Sequence, residues 1–236
     1  MKKTVIGIVA KPLLNNQMTR TLWTRLVIND EFRKIVENNA IPIGIMPDRY
    51  FGNSDTSGFV EEMTEDERND LLQVVNMVDG IILQGGLTSD TYEMEIVKYA
   101  ITNNLPIIGI CAGFNNIARA VGLPLVVKDS LSAAHDVYDK DYRHTITINS
   151  KHPYAALFNT NDDLCVNSLH TVFLERTGAN ENISILAEDM DGNIEAFTVN
   201  DAKFCLAIKW HPEIMSNNVS RKIFEEFVLA CAGGCS

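Results

Sequence analysis

Residues 105–122, LPIIGICAGFNNIARAVG, contain the step that decides the fold. A short apolar run rich in isoleucine gives way at Gly109-Ile110-Cys111-Ala112-Gly113 to a helical pattern, with no loop between them. Such a run is a buried strand, and a strand that turns directly into a helix is the recurring joint of a parallel sheet. Residues at the carboxyl end of a parallel strand stand where open α/β sheets bind ligands. The two glycines remove the Cβ atoms that would clash in a sharp strand-to-helix turn, the mechanics of a nucleophile elbow with sulfur in place of oxygen. The following helix N-terminus favours a thiolate. A free cysteine is most often a small buried hydrophobe, so the pentapeptide alone leaves that reading open.

Outward from this joint the same rhythm holds. TVIGIVA (4–10), IPIGIMP (41–47) and DGIILQGG (79–86) read as buried strands. LVINDEFRKIVENN (26–39) is expected as a helix on its apolar positions 26, 27, 32, 35 and 36. TEDERNDLLQVVNMV (64–78) opens with a capping box, Thr64 followed by Glu67, and SDTYEMEIVKYAITNN (89–104) supplies a third helix. After Leu125 the pattern changes: RHTITINS, DLCVNSL, ISILAED, NIEAFTVN and FCLAIKW are short, often alternating, and lack helices between them, which predicts antiparallel pairing. SNNVSRKIFEEFVLACA (216–232) is the last helix, and residues 47–63 form the one loop-like stretch. The expected architecture is α/β, with a mostly parallel central sheet between helical layers and a small antiparallel β lobe in the C-terminal half. At 236 residues and 46% hydrophobic content, one domain spanning 1–236 is expected.

Charge and cysteine usage narrow the partners. Twenty basic residues against 31 acidic ones give a formal charge of −11, which repels a polyphosphate and argues against nucleic acid. The opening MKKTVIGIVAKP has two lysines and an apolar run but meets Lys11-Pro12 without a small-residue cleavage pattern, so it reads as a strand. No segment has the roughly 18 consecutive apolar residues of a membrane span. The five cysteines at 111, 165, 205, 231 and 235 are odd in number and scattered, which fits a reducing cytoplasm better than a disulfide framework.

A cysteine nucleophile needs a base, and the base an orienting group. Trp210-His211-Pro212-Glu213 supplies both: Pro212 fixes the local backbone, and Glu213 can hold the His211 tautomer. Gly85-Gly86, directly after a strand, can bring a bare backbone N–H to an oxyanion, with the N–H of Ala112 as the second donor. His-Pro-Glu alone is equally a surface turn, and the glycine pair alone an ordinary turn. Together with the elbow they point to acyl transfer.

With these pieces in place the chain resembles the class I glutamine amidotransferase-like superfamily, in its branch of γ-glutamyl-γ-aminobutyrate hydrolases and C26-type peptidases. VIGIVAKP, IPIGIMP, VDGIILQGG, LPIIGICAG, GLPLVVKDS, VNSLH, GNIEAF and AIKWHPE fall in family order nearly end to end. The resemblance implies a flavodoxin-like three-layer fold, a Cys111-His211-Glu213 triad, an oxyanion hole from the backbone near Gly86 and Ala112, and a γ-glutamyl thioester that water hydrolyses. It implies no cofactor, and the spacing of His135, His144 and Cys165 suits no metal. Ser168 and His170 match a VNSxH segment and are substrate-binding candidates, with Glu195 in an IEA-like strand.

The departures concern the pocket. GICAGFN stands where the family has GICRGxQ, which puts Ala112 in place of arginine and shortens glutamine to Asn115, a further substrate-binding candidate. The family's acidic residue after the double glycine gives way to LTSDTYE, with Asp90 or Glu93 as displaced substitutes, and VNSLHTV lacks a second histidine and a glutamine. Three readings follow: a free hydrolase of γ-glutamyl amides, a glutaminase feeding ammonia to a separate synthetase partner, or a catalytically silent protein that binds a small amino-acid-like ligand. A small-molecule γ-glutamyl substrate is the expected partner under the first; a homodimer is left open.

Overall fold

Strand β1 (Val5–Val9) is buried along nearly its whole length because it lies inside a sheet covered on both faces. A computed structural model describes residues 3–12, 26–37, 39–47, 62–86, 91–127, 143–158, 164–168, 170–175 and 181–233. Asp90, His135, Cys235 and most of the loop-like stretch 47–63 lie outside the described residues.

β1 pairs in parallel with β4 (Ile41–Ile45) on one side and β5 (Gly80–Leu83) on the other. β5 is followed in parallel by β6 (Ile107–Ile110), and β6 by β13 (Cys205–Ile208). Beyond β13 the sheet becomes antiparallel through β12 (Ile194–Val199), β11 (Ile183–Asp189), β8 (Arg143–Ile148) and β9 (Leu164–Asn167). The antiparallel strands expected in the C-terminal half thus extend the same sheet, which has nine strands among the described residues. A separate two-stranded ribbon, β7 (Leu125–Val127) with β10 (Val172–Leu174), forms the small antiparallel addition.

Helices cover both faces. On one face α1 (Asp30–Glu37) and α5 (Asn218–Cys231) bury Phe32, Val36, Ile223 and Phe224 against Ile6, Ile8, Ile108 and Ile208. On the other, α2 (Glu65–Val75), α3 (Thr91–Thr102) and α4 (Ala112–Ala120) bury Leu71, Val75, Ile96 and Phe114 against Val9, Ile81, Leu83 and Ala207. The assignment follows strand alternation, since neighbouring residues of one strand point to opposite cores.

The capping box of α2 forms as read: the Glu67 N–H donates to Thr64 Oγ1 at 3.2 Å and the Thr64 N–H donates to Glu67 Oε2 at 2.8 Å. The first helix begins later than expected. Leu26–Val27 forms a short strand, β3, that pairs with β2 (Lys11–Pro12), and α1 starts only at Asp30. Asn29 accounts for this, because its Oδ1 accepts from the Glu31 N–H at 3.0 Å and so marks a helix start inside the apolar period. Among the described residues no helix is long and apolar enough to cross a membrane.

Candidate active site

The parallel pairing of β6 and β13 brings two distant segments to one place. Ile110 lies opposite Ile208, and the Cys111 N–H donates to the Ile208 carbonyl at 2.9 Å, so Cys111 and Lys209 leave neighbouring strands at the same level. Cys111 then enters a backbone state with φ 53° and ψ −98°, outside the regions that L-residues ordinarily occupy. Such strain at a strand-to-helix joint is the geometry of a nucleophile elbow.

The glycines act as read from the sequence. A Cβ on Gly109 would stand 2.6 Å from the Gly113 carbonyl oxygen, and one on Gly113 would stand 2.3 Å from the Leu83 carbonyl oxygen. These obstacles are backbone atoms, which cannot step aside. Gly85 is closer to the chemistry: its Cβ would lie 2.7 Å from His211 Cε1 and 3.5 Å from Cys111 Cβ. Gly86, the next residue, lies beneath the methylene stem of Lys11, whose Cδ would be 3.3 Å from an added Cβ.

His211 Nδ1 contacts Glu213 Oε1 at 2.7 Å, and the imidazole and the Cys111 side chain lie on either side of Gly85, both within 3.5 Å of where its Cβ would stand. The carboxylate fixes Nδ1 as a protonated nitrogen, which leaves Nε2 for a second partner. Burial alone would push the thiol up. The charge and hydrogen bond of His211 outweigh it, with help from Lys209, and hold Cys111 below its ordinary value even though Glu213 acts in the opposite sense. For His211, burial acts downward, but the sulfur and the Glu213 carboxylate prevail and raise it. The two shifts run in opposite directions, and each favours the charged form of its group. Cys205 and Cys231 differ, since burial pushes each up to about 12.

Two buried amides that the sequence reading passed over hold this arrangement. Asn167, fully enclosed at the end of β9, grips the backbone of His211: its Nδ2 donates to the His211 carbonyl at 2.9 Å and its Oδ1 accepts from the His211 N–H at 2.7 Å. Gln84, just before the glycine pair, donates from Nε2 to the carbonyls of Val9 (2.6 Å) and Val27 (3.0 Å) and accepts from the Asn29 N–H at 2.8 Å. It ties β1, β3 and the start of α1 to the loop that carries Gly85 and Gly86. Asn167 neighbours Ser168 in VNSLH, so the motif was visible while its function as a clamp was not.

The remaining candidates are buried among partners. Asn115 Oδ1 accepts from Lys209 Nζ at 2.7 Å. Ser168 is fully buried. His170 Nε2 stands 3.5 Å from Glu195 Oε1, and His144 Nε2 stands 3.6 Å from Glu195 Oε2. Burial would raise the Glu195 carboxyl, but the two histidines prevail and hold it at about 2. Glu93 forms an ion pair with Lys11 at 2.6 Å and a hydrogen bond with Asn116 Nδ2. It thus braces the stem that covers Gly86.

Comparison with known proteins bears on the family and the fold. The peptidase C26 family matches residues 87–213. The chain is 29% identical over 154 residues to γ-glutamyl-γ-aminobutyrate hydrolase of Escherichia coli, an alignment that covers 60% of each protein. Among solved structures, the glutaminase domain of Trypanosoma brucei CTPS with bound acivicin superposes with a TM-score of 0.67 at 14% identity, over 99% of this chain and 96% of that one. A glutamine amidotransferase from Thermotoga maritima superposes at 0.57 with 13% identity, over 94% of this chain and 82% of that one. At those identities the structural likeness establishes the fold.

Proposed function

The chain belongs to the peptidase C26 family, and from that premise we propose that it is a cysteine-dependent hydrolase of γ-glutamyl amide bonds. The observation that carries the reading is the convergence of Cys111 with the His211–Glu213 pair at the carboxyl ends of β6 and β13, where residues 100 positions apart in sequence flank Gly85.

The Cys111 thiolate attacks the γ-carbonyl carbon of the substrate, and the carbonyl π electrons move to oxygen. Backbone N–H groups of Gly86 and Ala112 donate to that oxyanion. Collapse of the tetrahedral adduct breaks the C–N bond as the His211 imidazolium passes its Nε2 proton to the departing nitrogen, leaving a γ-glutamyl thioester and a free amine. Water then attacks the thioester while neutral His211 takes its proton. The second adduct expels the Cys111 thiolate and glutamate. Glu213 keeps its hydrogen bond to Nδ1 throughout and stabilises the imidazolium each time it forms.

Glutamate release from a panel of γ-glutamyl amines and from glutamine tests the reading, with Cys111→Ala as the control. Release from γ-glutamyl amines that disappears in the variant is the expected result. Release from glutamine alone, dependent on an added synthetase, would replace the proposal with an ammonia-supplying function. Silence on every compound, with thermal stabilisation by one of them, would replace it with ligand binding.

A further inference from the structure

Lys209 is among the largest side chains in the protein to be fully enclosed, at 1% exposure, and a lysine is seldom buried without a purpose. It lies two residues before His211. Its Nζ donates to Asn115 Oδ1 at 2.7 Å and sits 5.1 Å from the centroid of the Phe114 ring. Asn115 in turn lies one helical turn after the nucleophile, its N–H donating to the Cys111 carbonyl at 3.2 Å. The Lys209–Asn115 contact therefore joins the helix that begins at the sulfur to the segment that delivers the imidazole. It does so from the face of the sheet that α4 covers.

We propose that Lys209 is a positioning residue with two separable effects: its hydrogen bond to Asn115 fixes α4 against the His211 segment, and its ammonium charge stabilises the Cys111 thiolate alongside the imidazolium. The inference rests on the reading of Cys111 as the nucleophile. Cys111 and Lys209 directly follow the paired residues Ile110 and Ile208 on adjacent parallel strands, and the Lys209 charge acts on the sulfur in the same sense as His211, with Glu213 opposing both. The shortened Asn115 and the buried Lys209 are thus complementary parts of one contact. A side chain lacking the charge could keep the hydrogen bond, so substitution can take the two effects apart.

The rate of iodoacetamide modification of Cys111 as a function of pH, read on its own peptide by mass spectrometry, provides the test. Lys209→Gln keeps a donor for Asn115 without the charge. It is expected to move the midpoint of Cys111 modification up by about one pH unit, which slows the reaction roughly tenfold below the midpoint. Lys209→Arg keeps a cation and is expected to leave the midpoint close to that of the unmodified protein. Asn115→Ala removes the acceptor and keeps the charge, so the midpoint should stay while kcat falls. Thermal unfolding of each variant identifies any that has lost its fold, and Lys209→Arg and Asn115→Ala remain informative if Lys209→Gln does not fold. An unchanged midpoint in folded Lys209→Gln, or a raised one in folded Lys209→Arg or Asn115→Ala, overturns the proposal. Should Cys111 of the unmodified protein resist modification at every pH, the nucleophile reading itself fails, a result distinct from those three.

Discussion

Gly85 and Gly113, which flank the proposed triad, differ in what an added methyl group would strike, and this difference separates activity from stability. On Gly85 a Cβ meets the edge of the His211 ring at 2.7 Å, and a ring can swing aside. Gly85→Ala should therefore leave the unfolding midpoint nearly in place while lowering kcat about a hundredfold, because a displacement of about 1 Å spoils the alignment of nucleophile and acid. On Gly113 the obstacle is the Leu83 carbonyl at 2.3 Å, part of a central strand. Gly113→Ala should cost about 1–3 kcal/mol in urea unfolding as the α4–β5 packing shifts. Equal losses of activity and stability in both variants would show that the elbow and the histidine loop do not respond separately. The need for small residues around Cys111 was legible in GICAG. The distinct duty of Gly85 was not, because it depends on which side chain arrives from residue 211.

At the scale of elements, the strands and helices of the parallel half were readable because each carries its own signal, a continuous apolar run or a capped amphipathic period. The N-terminus of α1 was misplaced because Leu26 and Val27 continue the helical period while pairing with Lys11 and Pro12 as a strand. Local pattern cannot report a partner so far away along the chain. The clamp at the end of β9 escaped for the same reason: nothing in VNSLH says that Asn167 will meet the backbone of residue 211. Its two hydrogen bonds fix the segment between β13 and the Pro212–Glu213 turn, which orients the imidazole. Asn167→Ala should lower stability by about 1–3 kcal/mol, since it leaves a buried N–H and C=O without their amide partner. It should also reduce kcat more than it changes KM, because in the proposed mechanism His211 acts on the bond being broken. A variant that loses stability while keeping full kcat would limit Asn167 to holding the sheet edge.

Across the whole molecule, the site sits at the seam where the sheet changes from parallel to antiparallel. β13 belongs to both halves: its parallel edge aligns His211 with Cys111, and its antiparallel edge meets β12, where the Lys209 N–H donates to the Glu195 carbonyl at 2.8 Å. The Glu195 side chain gathers His170 from the segment after β9 and His144 from β8, so one buried carboxylate fastens three parts of the antiparallel half beside the site. Glu195→Gln takes a buried carboxylate from between two histidines, and it should cost on the order of 3 kcal/mol at neutral pH. The pH dependence gives a sharper check. Folding holds the Glu195 carboxyl at about 2, below its ordinary value of 4.5, so its contribution is complete above 4.5 and is lost as pH falls through about 2. Urea unfolding of the two proteins side by side should show a gap that narrows as pH falls from 4.5 toward 2, because the carboxyl of the unfolded chain takes up its proton before that of the folded chain does. A gap that keeps its neutral value down that range would mean that the stability lost in Glu195→Gln comes from packing, with the two histidines contributing none of it through charge.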